Sequence, residues 1–339
     1  VDGTPPAFYR TDRSIALSSA TGPWQEQAGK ELGRAFDPSN GPLMRVVQTD
    51  DENGTTLVLT LEHCIADAMG AMYVLRDLVT ALNGGALEPT AAPPSLEDLI
   101  ADRIGRAPMP DLTGIDPRMT IPLDDQPFDG SPAVIRTFAL TRDETTRLVQ
   151  RCRAERATVN SLIVAAASRS CAAIVGTDYI RVFNPIDLRP ILDAGESLAP
   201  TFGAIRLGFE AHGSTRLWDR ARAVRAQTAG AKSEAAVASA AAVSNHFLPP
   251  AVTASEVRRY IHQAIDYELL VSNLGAPALD WAGPVRPRAI WGPMVMGRYP
   301  GEHMVGVTTF DGSLRVTVAA HKDPAPLLFE LEEATRTPQ

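Results

Sequence analysis

Apolar and polar positions alternate with two clear periods along this chain. PLMRVVQTD (42–50) and TTLVLTLEH (55–63) alternate with period two, which predicts two strands, and DENG between them predicts a hairpin turn. Helical spacing appears in SATGPWQEQAGKELGRAFD (19–37), where Trp24, Ala28, Leu32 and Phe36 share a face, and again in AMGAMYVLRDLVTALNGG (68–85). There Met69, Met72, Tyr73, Leu75, Val79 and Leu82 gather on one face until Gly84-Gly85 stops the helix. Residues 83–132 are dense in Pro, Gly and Asp, which favours turns and linker, with LEDLIADRI (96–104) as one short helix. Beyond it come a strand (AVIRTFALT), a helix with Asp143 and Glu144 at its start, and a second helix, TVNSLIVAAASRSCAAIVG, capped by Gly176. YIRVFNPIDLRP and AIRLGFEA follow, then a long Ala-rich helical region (215–245) ending near Leu248-Pro249-Pro250. The tail reads as strands: YELLVSNLG, AIWGPMVM, HMVGVTTF and SLRVTVAA, with an Asp311-Gly312 turn. The organisation is α/β, split into lobes at 1–125 and 126–339.

Length and composition narrow the function classes. At 339 residues and 45 % hydrophobic the chain can bury a sizeable core. The net charge is −8 and only three of the 32 basic residues are Lys, with no dense basic run, which argues against a nucleic-acid surface. Three cysteines without CxxC spacing point to a reducing, cytoplasmic setting rather than a disulfide framework. No apolar stretch has the length of a membrane span, and no secretory leader is visible. Asn53-Gly54-Thr55 fits a glycosylation acceptor and is read here as the hairpin turn. The chain starts at Val1 without methionine, which suggests that something upstream is missing.

Candidate chemistry concentrates in LEHCIADAMG (61–70), where His63 and Asp67 stand four apart. From the residues alone three readings stay open. His63 can be a general base, since an imidazole titrates near 6.5. Asp67 can cap the helix that follows or pair with a cation. Metal binding lacks a third ligand on either flank. Cys64 is expected to face away from His63 along the strand, as a buried thiol.

Several stretches in order resemble the chloramphenicol-acetyltransferase-like superfamily, in its condensation-domain and polyketide-associated acyltransferase branch. The HHxxxDG signature corresponds to Glu62-His63-Cys64-Ile65-Ala66-Asp67-Ala68, with Glu62 in place of the first histidine and Ala68 in place of the glycine. FDPSNGPLMRV (36–46), ATVNSLIVAAASRS (157–170), NPIDLRP (184–190) and VSNLG (271–275) are similar to the segments that accompany it, the last reduced from DFGWG. The resemblance implies two similar α/β lobes in a V with the active site at the seam. It implies His63 as the catalytic base, Asp67 paired with Arg189 as structural support, and Asn273 and Gly275 at the second-motif position. The implied reaction is acyl transfer from coenzyme A or a phosphopantetheine carrier protein to a small hydroxyl or amine acceptor. No bound cofactor or metal is needed, and a monomer is expected. The alternatives are an excised peptide-synthetase condensation or epimerisation unit and a catalytically silent carrier-docking module.

Overall fold

The computed structural model describes residues 12–52, 54–124, 129–212, 214–249, 251–297, 299 and 301–337. The two alternating segments form β2 (Met44–Asp51) and β3 (Gly54–Leu61), after β1 (Ala16–Ala20) and α1 (Trp24–Leu32). β2 and β3 pair antiparallel from Met44↔Leu61 to Asp51↔Gly54, leaving two residues for the hairpin. Asn53, half of that turn, lies outside the described residues. β1 adds in parallel on the other side of β2, an element the hydrophobic pattern did not announce because four of its five residues are exposed. The first sheet therefore runs β1-β2-β3.

The second sheet has six strands in the order β4-β9-β8-β7-β5-β6. These are β4 (Val134–Ala139), β5 (Tyr179–Asp187), β6 (Phe202–Glu210), β7 (Leu269–Asn273), β8 (His303–Phe310) and β9 (Ser313–Ala320). One face is covered by α4 (Arg142–Ala154), α5 (Val159–Val175), α7 (Leu217–Ala231) and α10 (Ala325–Arg336). α5 is apolar on nearly every side and buried accordingly: Leu162, Ile163 and Val164 are almost wholly inaccessible. Each such side chain contributes about 1.5–3 kcal/mol of transfer free energy. Its start is fixed by a Thr158–Ser161 capping box, and Gly176 ends it in the left-handed conformation.

The other face of this sheet meets the first one. Ala28, Val47 and Val58 share one apolar cluster with Ile135, Leu270, Met304 and Ala319, so α1 is wedged between the two sheets. Among the described residues the first sheet has three strands and the second six. The expected boundary after residue 125 falls at 125–128, outside the described residues, as do residues 1–11.

The Ala-rich stretch is two helices, α7 and α8 (Glu234–Phe247), because the Ser233 hydroxyl caps α8 by accepting from the Ala236 N–H. α9 (Ala254–Ala264) follows Pro249-Pro250 through a Thr253–Glu256 capping box and precedes β7. AIWGPMVM is not a strand. It crosses the second sheet, where the Thr308 hydroxyl donates to the Gly292 carbonyl (2.6 Å) and the Gly292 N–H donates to the Thr317 hydroxyl (3.2 Å). Side chains of β8 and β9 thus take backbone hydrogen bonds that a ladder would otherwise satisfy. In the linker, α3 (Leu96–Arg103) buries Ile100 against Leu192 and Val237, tying residues 96–103 to the second lobe.

Candidate active site

β3 ends at Leu61, and the chain turns at once. Glu62 donates to the Leu43 carbonyl (2.9 Å) and Ile65 donates to the Glu62 carbonyl (3.0 Å), closing a turn over His63 and Cys64. Both side chains are exposed. Cys64 is therefore not the buried, inward-facing thiol expected from strand alternation; the strand stops two residues too early for that rule to apply. Partial desolvation of the sulfur within the turn, then the neighbouring Glu62 charge, push its thiol above the usual range, which disfavours a thiolate.

Asp67 sits at the N-cap of α2 (Ala68–Leu82) in extended conformation, and its Oδ1 accepts from the Gly70 N–H at 2.8 Å. Arg189 begins the short helix α6 (Arg189–Leu192) after β5 and reaches the same carboxylate with both Nη atoms, at 2.9 and 2.8 Å. The Thr201 N–H adds a fourth bond to Oδ2 at 2.8 Å. Two oxygens with four acceptor positions thus hold four donors, and the carboxylate has none left for an imidazole or a substrate. Cap and ion-pair readings of Asp67 are both realised in one residue. Arg189 also donates to the carbonyls of Ser197 and Ala199 and to Asp187. Burial opposes its charge, but the hydrogen bonds and charge of Asp67, then of Asp187, outweigh that and raise its pKa. The pair is 4 % and 7 % exposed, so it belongs to the buried class where partners are obligatory.

Gly70 explains why the two elements come so close. A methyl there would overlap the Leu198 carbonyl oxygen, so only glycine lets the first turn of α2 touch the 197–201 loop. The signature's own glycine position is Ala68, which lies on the cavity wall at the first turn.

Thr201, whose N–H binds Asp67, is followed by Phe202, and the Phe202 ring stands 5.5 Å from the His63 ring at a 43° tilt. One short loop therefore both locks the base of the His63 turn and packs against its imidazole. No sequence pattern marked Phe202 or Thr201; TFGAIRLGF reads only as the start of a strand.

His63 lines a cavity of about 1310 Å³ that lies between the lobes. Its walls are β3 and the Met69, Met72 and Leu75 side of α2 from the first lobe, and Phe202, the end of β7 and residues 285–296 from the second. Asn273 is on this wall; its Oδ1 accepts from the Gly275 N–H at 2.7 Å, and Gly275 itself turns the chain away and does not line the cavity. Trp24 of α1 and Trp291 meet across the seam at 5.7 Å. Among the described residues no group of three His, Cys, Asp or Glu is placed to hold a metal ion, and no single helix is long and apolar enough to cross a membrane.

No protein-family model matches the chain, and no curated protein matches its sequence. Solved structures do. Polyketide synthase associated protein 5 from Mycobacterium tuberculosis is 16 % identical with a TM-score of 0.63, over 96 % of this chain and 80 % of that one. TRI101 from F. sporotrichioides, solved with coenzyme A and T-2, is 12 % identical with a TM-score of 0.59, over 97 % and 80 %. The condensation domain of the monacolin K polyketide synthase MokA is 13 % identical with a TM-score of 0.56, over 95 % and 80 %. Similarity at this level, spread over nearly the whole chain, establishes architecture: this protein has the two-lobed fold of condensation domains and chloramphenicol-acetyltransferase-like acyltransferases.

Proposed function

We propose that the chain is an acyltransferase that moves an acyl group from a pantetheine thioester, on coenzyme A or a carrier protein, to a hydroxyl or amine acceptor. The observation that carries this reading is the placement of His63. It stands on the wall of an interlobe cavity, on a turn locked from below by Asp67, Arg189 and Thr201. A base so held spends no reorganisation when a substrate arrives. His63 takes the acceptor's proton as its oxygen or nitrogen attacks the thioester carbonyl; the new C–O or C–N bond forms, the C–S bond breaks, and the thiolate recovers the proton. Cys64 is absent from the cavity wall, and the reaction needs no acyl-enzyme on it. Similarity to an epimerization domain of tyrocidine synthetase B supports a second reading, a condensation or epimerisation unit acting on carrier-bound chains.

The test is thiol release from acyl-coenzyme A and acyl-carrier donors in the presence of alcohol and amine acceptors. Acceptor-dependent release is expected, falling about 10²–10⁴-fold in His63→Ala with the fold intact. Release only from carrier-bound donors selects the second reading. Release that survives in His63→Ala refutes the assignment of the base, and none with any donor leaves a silent docking module.

A further inference from the structure

Glu302 is a wholly buried carboxylate that the chemistry at His63 does not use. Glu31, Asp67 and Glu268 are buried too, and each meets an arginine. Glu302 has no arginine or lysine on it among the described residues, and the exposed His321 stands 3.9 Å away. Its oxygens go instead to the end of one loop. Oε1 accepts from the Tyr267 hydroxyl (2.8 Å), and both oxygens accept from the Gly297 N–H (2.6 and 2.8 Å). Oε2 also accepts from the Tyr299 N–H (3.3 Å). An ionised carboxylate only accepts, and all three groups donate. A charge buried in this way is costly unless its hydrogen bonds are made, so the donors are held firmly in return.

What those bonds hold is a wall of the interlobe cavity. Met294, Val295 and Met296 line it, whereas Tyr267, Gly297, Tyr299 and Glu302 do not. The segment is pinned at Gly292 by the Thr308 and Thr317 hydroxyls and at Gly297 by Glu302. Between these points it lies flat on β8, since a methyl at Gly306 would overlap the Pro293 carbonyl oxygen. Gly297 is fitted as tightly. A methyl there would stand 2.9 Å from the Tyr299 ring, 3.1 Å from Glu302 Oε1 and 3.2 Å from the Tyr267 hydroxyl. Tyr267 in turn packs on Tyr299 (5.7 Å) and on Phe183 (5.6 Å), which lines the cavity. From this arrangement we infer that Glu302 is a positioning residue: without touching substrate it fixes the wall formed by residues 293–296, and through that wall the binding of the substrate. The inference rests on the reading of this cavity as the substrate site and adds the group that sets one of its walls. No motif marks Glu302, because GEHM (301–304) reads only as the start of a strand.

Glu302→Gln keeps the shape but turns an amide donor toward peptide N–H groups. In hydrogen-exchange mass spectrometry, residues 293–297 of this variant exchange at least about tenfold faster, while β9 is unchanged. In the thiol-release assay kcat/KM falls about ten- to a hundredfold. The loss is in KM, with kcat kept within about twofold, because Asp67, Arg189 and Thr201 hold the His63 turn independently. Leu162→Ala is the control. It hollows the core on the opposite face of the second sheet, so it destabilises the fold without moving KM. If Glu302→Gln does not fold, Gly297→Ala replaces it, since a methyl pushes the loop off an intact carboxylate and gives the same KM-selective loss. Unchanged exchange, an unchanged KM, or a KM shift that Leu162→Ala reproduces overturns the inference and leaves the acyltransferase reading standing. Faster exchange in the variant, with no turnover of any donor by the native chain, supports the anchor and refutes that reading.

Discussion

Asp67→Ala removes four bonds at one carboxylate: the Gly70 cap, two from Arg189 and one from Thr201. The cap alone is worth about 1 kcal/mol. Breaking a buried pair from one side costs about 3–5 kcal/mol, because the remaining ion stays desolvated. These share one carboxylate and are not summed; Arg189 keeps Asp187 and two carbonyls, which places the loss within that range. With unfolding entropy of about 2.1 cal/mol/K per residue, a 339-residue chain has about 0.7 kcal/mol/K, so the melting temperature falls by about 4–7 °C. Arg189→Met should cost a similar amount, leaving a buried carboxylate with only two N–H donors. The double variant Asp67→Ser/Arg189→Met keeps a cap and leaves no buried unpaired charge, since Asp187, which also loses Arg189, is solvent-exposed, so it should be more stable than either Asp67→Ala or Arg189→Met. Differential scanning calorimetry of the three variants measures this. Single-variant shifts within about 1 °C, or a double variant less stable than both singles, would refute the account of a buried, mutually dependent pair.

Gly70→Ala forces a methyl onto the Leu198 carbonyl and should destabilise by about 1–3 kcal/mol, read as a lower denaturant midpoint; a stabilised variant would contradict the close approach. Burial, reinforced by nearby His321 and opposed by the Gly301 carbonyl, lowers the His303 pKa below its ordinary value. The folded chain then resists protonation that the unfolded chain accepts. His303 should therefore contribute stability in full above about pH 6.5, lost as pH falls through its folded value. His303→Phe should flatten the fall of the urea midpoint between about pH 7 and 5; an unchanged slope would assign it to other groups. Cys64 is exposed, whereas burial raises Cys152 to about 11 and Cys171 to about 12. An Ellman titration should find one thiol in the native protein and three after denaturation.

Local chemistry was legible in the sequence because it repeats. Period-two alternation marked β2 and β3 and the Ala/Val/Ile run marked α5, since each pattern reports burial of one element along its own axis. Asp67 before an apolar run marked the start of α2 for the same reason. The resemblance in ordered motifs singled out His63, Asp67 and Arg189, and the last two meet across 122 residues of chain. What periodicity does not encode is contact between loops. The early end of β3, which exposes Cys64, depends on a turn closed by Glu62 and Ile65. Phe202 beside His63, Thr201 on Asp67, and residues 285–296 across the cavity are placed by strand order in the second sheet and by α1 wedged between the sheets. Those positions have no repeat of their own, because each is fixed by a partner far away in the chain. Tertiary packing alone brought the cavity, the second-lobe loop 285–296 and the histidine into one place.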